Sequence, residues 1–242
     1  MKFAKNNAAP TIPSQVLNGV QQAALQDIIS PESDLNPFKK RHVRVRNQCL
    51  VQVMLETGVR RAELVLLELA DVYLGASPTI RIRSSINAGA RCRRDGASPK
   101  TRSRTVPITS KLARRLSGYL ERERLEFTQR NRLSVHLFLS ELDGQRLSVT
   151  AVNHVLRKLG SAGVFAKGGT RLHPHGIRST SATEARRLMD AAGKASHSEL
   201  EESLSYFGGW APGSRMVRRY TREAVSEKVG RLLREERRNN DE

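Results

Sequence analysis

Six side chains in this sequence have the chemistry to act on a phosphodiester: Arg60, Lys100, His175, Arg178, Trp210 and Tyr220. Tyr220 supplies a phenol, which titrates near pH 10 and needs help to act as a nucleophile at neutral pH. Arg218, Arg219 and Arg222 flank it in sequence and are expected to lower the cost of a phenolate. Arg60 and Arg178 each offer a permanently charged planar fork of donors that matches two phosphate oxygens. Arg60 follows Gly58 at an expected helix start, where free backbone N–H groups also favour an anion. His175 stands three residues before Arg178, so both can face one ligand from the first turn of a helix. Its imidazole exchanges protons near neutral pH. His173 is a near duplicate, and spacing alone does not choose between the two. Lys100 lies where one strand turns into the next and can protonate a leaving oxygen. Trp210, the only tryptophan, brings one indole N–H donor. Each residue alone has a plainer reading as a core aromatic, a capping histidine or a solvated cation. Only the ordered set points to nucleophilic attack on DNA.

The elements that must position these groups follow from periodicity. The reading is mostly α with one small antiparallel β-sheet, as one domain over residues 11–237. A disordered arm over residues 1–10 precedes it, and a charged tail over 238–242 follows. Ile12 to Ile29 has near-helical apolar spacing, weakened by Gly19, and Pro31 to His42 reads as a turn-rich connector. Val45 to Glu56 forms a strong helix with Val45, Cys49, Leu50, Val53 and Met54 on one face, closed by Gly58. A second helix starts near Arg60. Thr79 to Ser84 alternates Ile80 and Ile82 with Arg81 and Arg83, a strand with basic residues outward. Asn87 to Pro99 reads as a mobile basic loop, and Arg104 to Ile108 as the returning strand with Pro107 near its edge. The stretch after Ser110 is expected to be one helix, with Leu112, Leu116, Tyr119 and Leu120 inward. Ser148 reads as the N-cap of a helix ending near Gly160, and Val225 to Leu233 as a last amphipathic helix before a frayed end.

Composition narrows the partner. The chain carries 42 Lys plus Arg against 24 Asp plus Glu, a formal net charge of +18 over 242 residues. Such a surplus favours a polyanion, and nucleic acid is the usual one. Arg81, Arg83, Arg91, Arg93, Arg94, Arg102, Arg218 and Arg219 are expected to touch DNA, mostly its backbone. Two distant cysteines, Cys49 and Cys92, suggest neither a disulfide framework nor a zinc site and fit a reducing cytoplasm. No metal and no cofactor are expected. No apolar run has the length of a membrane span, and the first ten residues lack the apolar core of a signal peptide.

In this order and with these flanks the residues resemble the tyrosine recombinase (phage integrase) family. Thr57-Gly58-Val59-Arg60-Arg61-Ala62-Glu63-Leu64 is similar to its T-G-x-R-x-x-E-L box. Pro99-Lys100-Thr101 with Arg104-Thr105-Val106-Pro107-Ile108 looks like its β-hairpin lysine and the following strand. His173 to Arg178 matches the H-x-L-R box, with Ser179 where a second histidine often stands. Gly209-Trp210 and Arg219-Tyr220 resemble the two late boxes. The resemblance implies the family's fold and double-stranded DNA as substrate. It implies cutting and rejoining through a 3′-phosphotyrosyl intermediate, without metal or ATP, within a tetrameric synapse. It also implies the roles: Tyr220 nucleophile, Arg60 and Arg178 holding non-bridging oxygens, Lys100 the general acid, His175 assisting proton transfer, Trp210 a donor, and Glu63 orienting the arginines. The last helix resembles the segment that docks on a neighbouring protomer, and Ala211-Pro212-Gly213 is expected to form a turn that lets Tyr220 move. Members usually carry a helical DNA-binding domain before the first arginine box, whereas 59 residues precede Arg60 here. That domain is therefore expected to be absent. Two alternatives stand beside the recombinase: a relaxing enzyme like type IB topoisomerase, and a non-catalytic DNA-binding regulator of recombination.

Overall fold

The computed structural model describes residues 16–84, 102–167, 170–193 and 196–241. Lys100, Arg91, Arg93 and Arg94, Cys92, the expected basic loop and the expected N-terminal arm lie outside them. Helix α1 spans Gly19–Ile28, and Asn18 caps it by accepting from the Gln21 N–H at 2.9 Å. Gly19 therefore stands at the first helical position, where it does not interrupt the helix. Helix α2, Arg41–Thr57, is the central rod. Cys49, Leu50, Val51, Val53 and Met54 are all buried, so apolar positions surround it instead of lining one stripe. Gly58 ends it in the left-handed conformation at φ 59°, and α3, Arg61–Leu66, begins at once.

Three short strands follow: β1 (Val72–Tyr73), β2 (Thr79–Ile82) and β3 (Arg104–Pro107), antiparallel in the order β1-β2-β3. Ile80 and Ile82 face the core and Arg81 faces out, as the alternation predicts. On β3 the buried positions are Arg104 and Val106, so the strand turns a guanidinium inward. Pro107 sits on this edge strand, where the missing N–H costs no ladder bond.

The expected single helix after Ser110 is three segments: α4 (Ser110–Gly118), a π-helical turn (Tyr119–Glu123) and α5 (Arg124–Thr128). Helix α6, Val149–Leu159, is capped by Ser148, and α7 spans Gly163–Lys167. Helix α8 runs Pro174–Ala192, α9 His197–Gly208, and α10 Met216–Asp241. The last helix continues past the expected fraying point. Its end is rich in helix-forming Arg and Glu, with an Arg231–Glu235 pair one turn apart at 4.0 Å.

Most apolar side chains join one core around α2, while Ala182, Leu200, Leu204, Trp210, Val217 and Tyr220 form a second cluster between α8, α9 and α10. Among the described residues no helix is long and apolar enough to cross a membrane.

Candidate active site

The C-terminal end of α2, the start of α8 and the α9–α10 turn meet, and five of the six chemically capable residues meet there with them. Pro174 opens α8 and His173 caps it, its Nδ1 accepting the Gly176 N–H at 3.1 Å. This cap separates the two histidines: His173 serves the helix end, and His175 turns to the phenol. The Tyr220 hydroxyl lies 2.9 Å from His175 Nδ1. Burial, then the charges of Arg219, His173, Arg178 and Arg60, hold the His175 pKa below its usual 6.5. The ring is accordingly neutral at pH 7, and in the tautomer protonated at Nε2 its Nδ1 can accept the phenolic proton.

Arg178 is 3% exposed and crosses the site. Its Nη1 donates to the Gly58 carbonyl and its Nη2 to the Gly208 carbonyl, the latter at 2.7 Å. Its guanidinium carbon stands 5.2 Å from the centre of the Trp210 ring and 5.6 Å from that of Tyr220. Burial, with Arg60 and Arg104 nearby, lowers its pKa to about 10, still charged at neutral pH. Trp210 stacks on Tyr220 with centroids 5.2 Å apart and planes 14° from parallel. Gly208 permits this approach, since a Cβ there would lie 2.5 Å from the indole.

Arg60, 29% exposed in its side chain, caps α3 and faces the same region. Glu63 is buried beneath it. One oxygen accepts the Arg60 backbone N–H at 3.0 Å, and the other stands 3.8 Å from Arg60 Nη1. Arg104 reaches the same carboxylate from β3 at 3.1 Å, with both side chains almost fully buried. Arg104 is the residue that the sequence reading missed. The signal was available: a strand that buries Val106 also buries the residue two before it, and a charge in that position demands a partner.

Three buried donors here have no hydrogen-bond partner among the described residues: Arg60 Nη1, Arg178 Nε and Trp210 Nε1. Buried polar groups are normally paired, so these three donors remain available to an acceptor. Among the described residues no group of three or more histidine, cysteine or carboxylate side chains is placed to hold a metal ion.

The cations expected around Tyr220 are arranged differently. Arg218, Arg219 and Arg222 are exposed on α10 while Tyr220 is buried, and the guanidinium against the phenol ring is that of Arg178. Arg218 lies 3.8 Å from Glu201. Arg81 and Arg83 contact the buried Asp71 at 3.3 and 2.7 Å, and Arg83 also Glu68 at 2.6 Å, so part of their charge is neutralised within the protein. Arg102 has an exposed side chain, and its N–H donates to the Gly209 carbonyl at 3.0 Å, tying the start of β3 to the Trp210 segment.

The Phage integrase family model matches residues 32–227. No curated protein sequence matches the chain. Among solved structures it is similar to XerA recombinase, with 22% identity, a TM-score of 0.63, and 92% of this chain against 66% of that one covered. It is also similar to XerH site-specific recombinase bound to palindromic difH substrate, at 17% identity and TM-score 0.63 over 94% of this chain and 55% of that one. A third is the Tn1549 transposon integrase in complex with a circular intermediate DNA, at 16% identity and TM-score 0.59 over 93% and 68%. The chain thus spans between about half and two thirds of the length of these proteins. A family match over most of the sequence, and a mostly helical fold with a small antiparallel sheet shared with recombinase structures, place this chain in the phage integrase, or tyrosine recombinase, family.

Proposed function

We propose that this chain is the catalytic domain of a site-specific DNA recombinase that cuts and rejoins strands through Tyr220. The observation that carries the reading is the convergence of three buried donors without a hydrogen-bond partner among the described residues beside a phenol hydrogen-bonded to a neutral imidazole. In this reading the Tyr220 oxygen attacks phosphorus and its proton passes to His175 Nδ1. The phosphorus–oxygen bond to the 5′ side breaks as the tyrosyl–phosphate bond forms. Arg60, Arg178 and the Trp210 N–H hold the non-bridging oxygens, where charge builds in the transition state. The leaving oxygen takes a proton from Lys100, two residues before the pinned Arg102. A 5′-hydroxyl attacking the phosphotyrosine reverses the sequence, so the bond's energy is retained.

Tyr220 is only 4% exposed. DNA entry therefore requires the exposed 211–213 turn to shift α10, and Gly213, at φ 70°, gives that turn its freedom.

Self-association belongs to the same proposal. Ion pairs Arg187–Glu227 and Lys228–Asp190, at 2.7 and 2.8 Å, bind α10 to α8. Beyond them Val229, Leu232 and Leu233 are about half exposed. An apolar groove of about 1130 Å³ between α8, α9 and β3 is rimmed by Glu56, Glu184, Glu199 and Glu202. It suits the apolar, arginine-bearing end of α10 from a second copy. Such exchange between copies supports a multimeric synapse on DNA.

The test is a nicked suicide duplex containing the cognate site. An SDS-resistant protein–DNA adduct is expected from the wild type and none from Tyr220→Phe, which should still bind. An adduct that survives Tyr220→Phe removes the residue from its role. Relaxation of supercoiled plasmid without recombinants would favour the topoisomerase-like alternative. Binding with no adduct would favour the non-catalytic regulator.

A further inference from the structure

A second cationic concavity lies at the other end of α2. The hollow, about 350 Å³, is walled by Arg41 from the first turn of α2 and by Lys111, Arg114, Arg115 and Arg122 from α4 and the π-helical turn. Among the described residues Glu123 is the only carboxylate lining it. Lys111, Arg114 and Arg115 occupy the face of α4 opposite the buried Leu112, Ala113 and Leu116, and among the described residues none of the three forms an ion pair. Arg41 and Arg122 have acidic neighbours, Glu32 at 2.5 Å and Glu123 at 3.9 Å.

Two features distinguish this hollow from an ordinary solvated helix face. Its cations come from two helices and meet across a gap, where like charges repel. A merely soluble surface has no need to bring them together. The chain also departs from regular helix at this place. The π-helical turn Tyr119–Glu123 forms part of the wall, and such turns recur at functional sites. Gly118 lies under the Arg122 guanidinium, and a Cβ there would stand 2.6 Å from Nη2. The bare glycine leaves room for the Arg122 guanidinium to lie against the helix at the rim of the hollow, where the side chain stays largely exposed.

We propose that this hollow binds the phosphodiester backbone of a second DNA segment, separate from the one held at Arg60 and Arg178. Its opening lies at the far end of α2, whose 17 residues span about 25 Å. The ligand is recognised as closely spaced phosphates without base readout. The proposal shares with the preceding section only the choice of DNA as partner.

The test uses Tyr220→Phe protein, so that no cleavage chemistry enters. The probe is a mixed-sequence DNA hairpin with a ~6-bp stem about 20 Å long, with too few phosphates to satisfy both cationic sites at once. Titration at low salt, followed by calorimetry and native mass spectrometry, is expected to load two hairpins per protein. With Lys111→Gln, Arg114→Gln and Arg115→Gln combined it should load one. These side chains lie outside the core, and circular dichroism checks that the variant folds. The lost event should carry a log–log salt slope of roughly −3, near 0.9 for each phosphate neutralised. Two hairpins on the triple variant would overturn the proposal, as would a single hairpin on the parent protein. A poly-glutamate peptide captured by the parent and not by the variant, with DNA stoichiometry equal in both, would reassign the hollow to an acidic protein and also overturn it.

Discussion

In the proposed reaction the proton passes from Tyr220 to His175, a direction that agrees with the depressed His175 pKa. A base whose pKa lies below 6.5 stays unprotonated at pH 7, and acid removes it. Adduct formation should therefore hold steady from pH 8 to 7 and fall as pH drops below the ordinary histidine value, in a single-turnover pH profile. The same group ties stability to pH. As pH falls, the unfolded histidine takes its proton near the ordinary value before the folded one does, so stability present above that value is lost between it and the lowered folded value. His175→Gln should flatten the acid limb of the profile. Glu63 acts at the same scale. Replacing it with Gln takes the Glu63 charge away from the buried Arg104, a loss of about 3–5 kcal/mol for a broken buried pair, measurable as a lower denaturant midpoint. Gly208→Ala drives a methyl group into the Trp210 ring and is expected to cost adduct yield more than DNA affinity, which a salt-matched binding curve alongside the suicide assay would show.

Among the elements, α10 carries both the phenol and the exposed Val229, Leu232 and Leu233. Leu232→Asp with Leu233→Asp should prevent multimers on DNA, seen as loss of the large complex by light scattering, while single-duplex binding persists. Elements were largely legible in the sequence because periodicity and caps are local. Gly58 closing α2, Ser148 capping α6, and Ile80 with Ile82 facing inward follow from residues within a turn or a strand. The π-helical turn was not legible, since Leu112, Leu116, Tyr119 and Leu120 keep helical spacing through it. Nor was the separation of His173 from His175, which depends on how α8 meets α10. Arg104 shows the limit in part: its burial two residues before Val106 was legible, but its partner Glu63, 41 positions away in the chain, was not.

For the whole molecule, the +18 charge makes the proposed DNA binding a matter of counterion release. With roughly six phosphates contacted, affinity should fall by about a thousandfold between 50 and 200 mM salt, checked by anisotropy on one duplex across that range. A slope near zero would separate the charge from DNA binding altogether. Charge alone did not reveal where the cations act, because Arg81 and Arg83 point partly at Asp71 while Lys111, Arg114 and Arg115 have no carboxylate paired with them among the described residues.

Helix α10 runs unbroken for 26 residues, a stiff rod of about 39 Å. In the proposed multimer, a neighbour holding Leu232 and Leu233 would therefore pass its pull, with little slack, to the Tyr220 oxygen three turns upstream, and strand cutting would answer to the presence of a second copy.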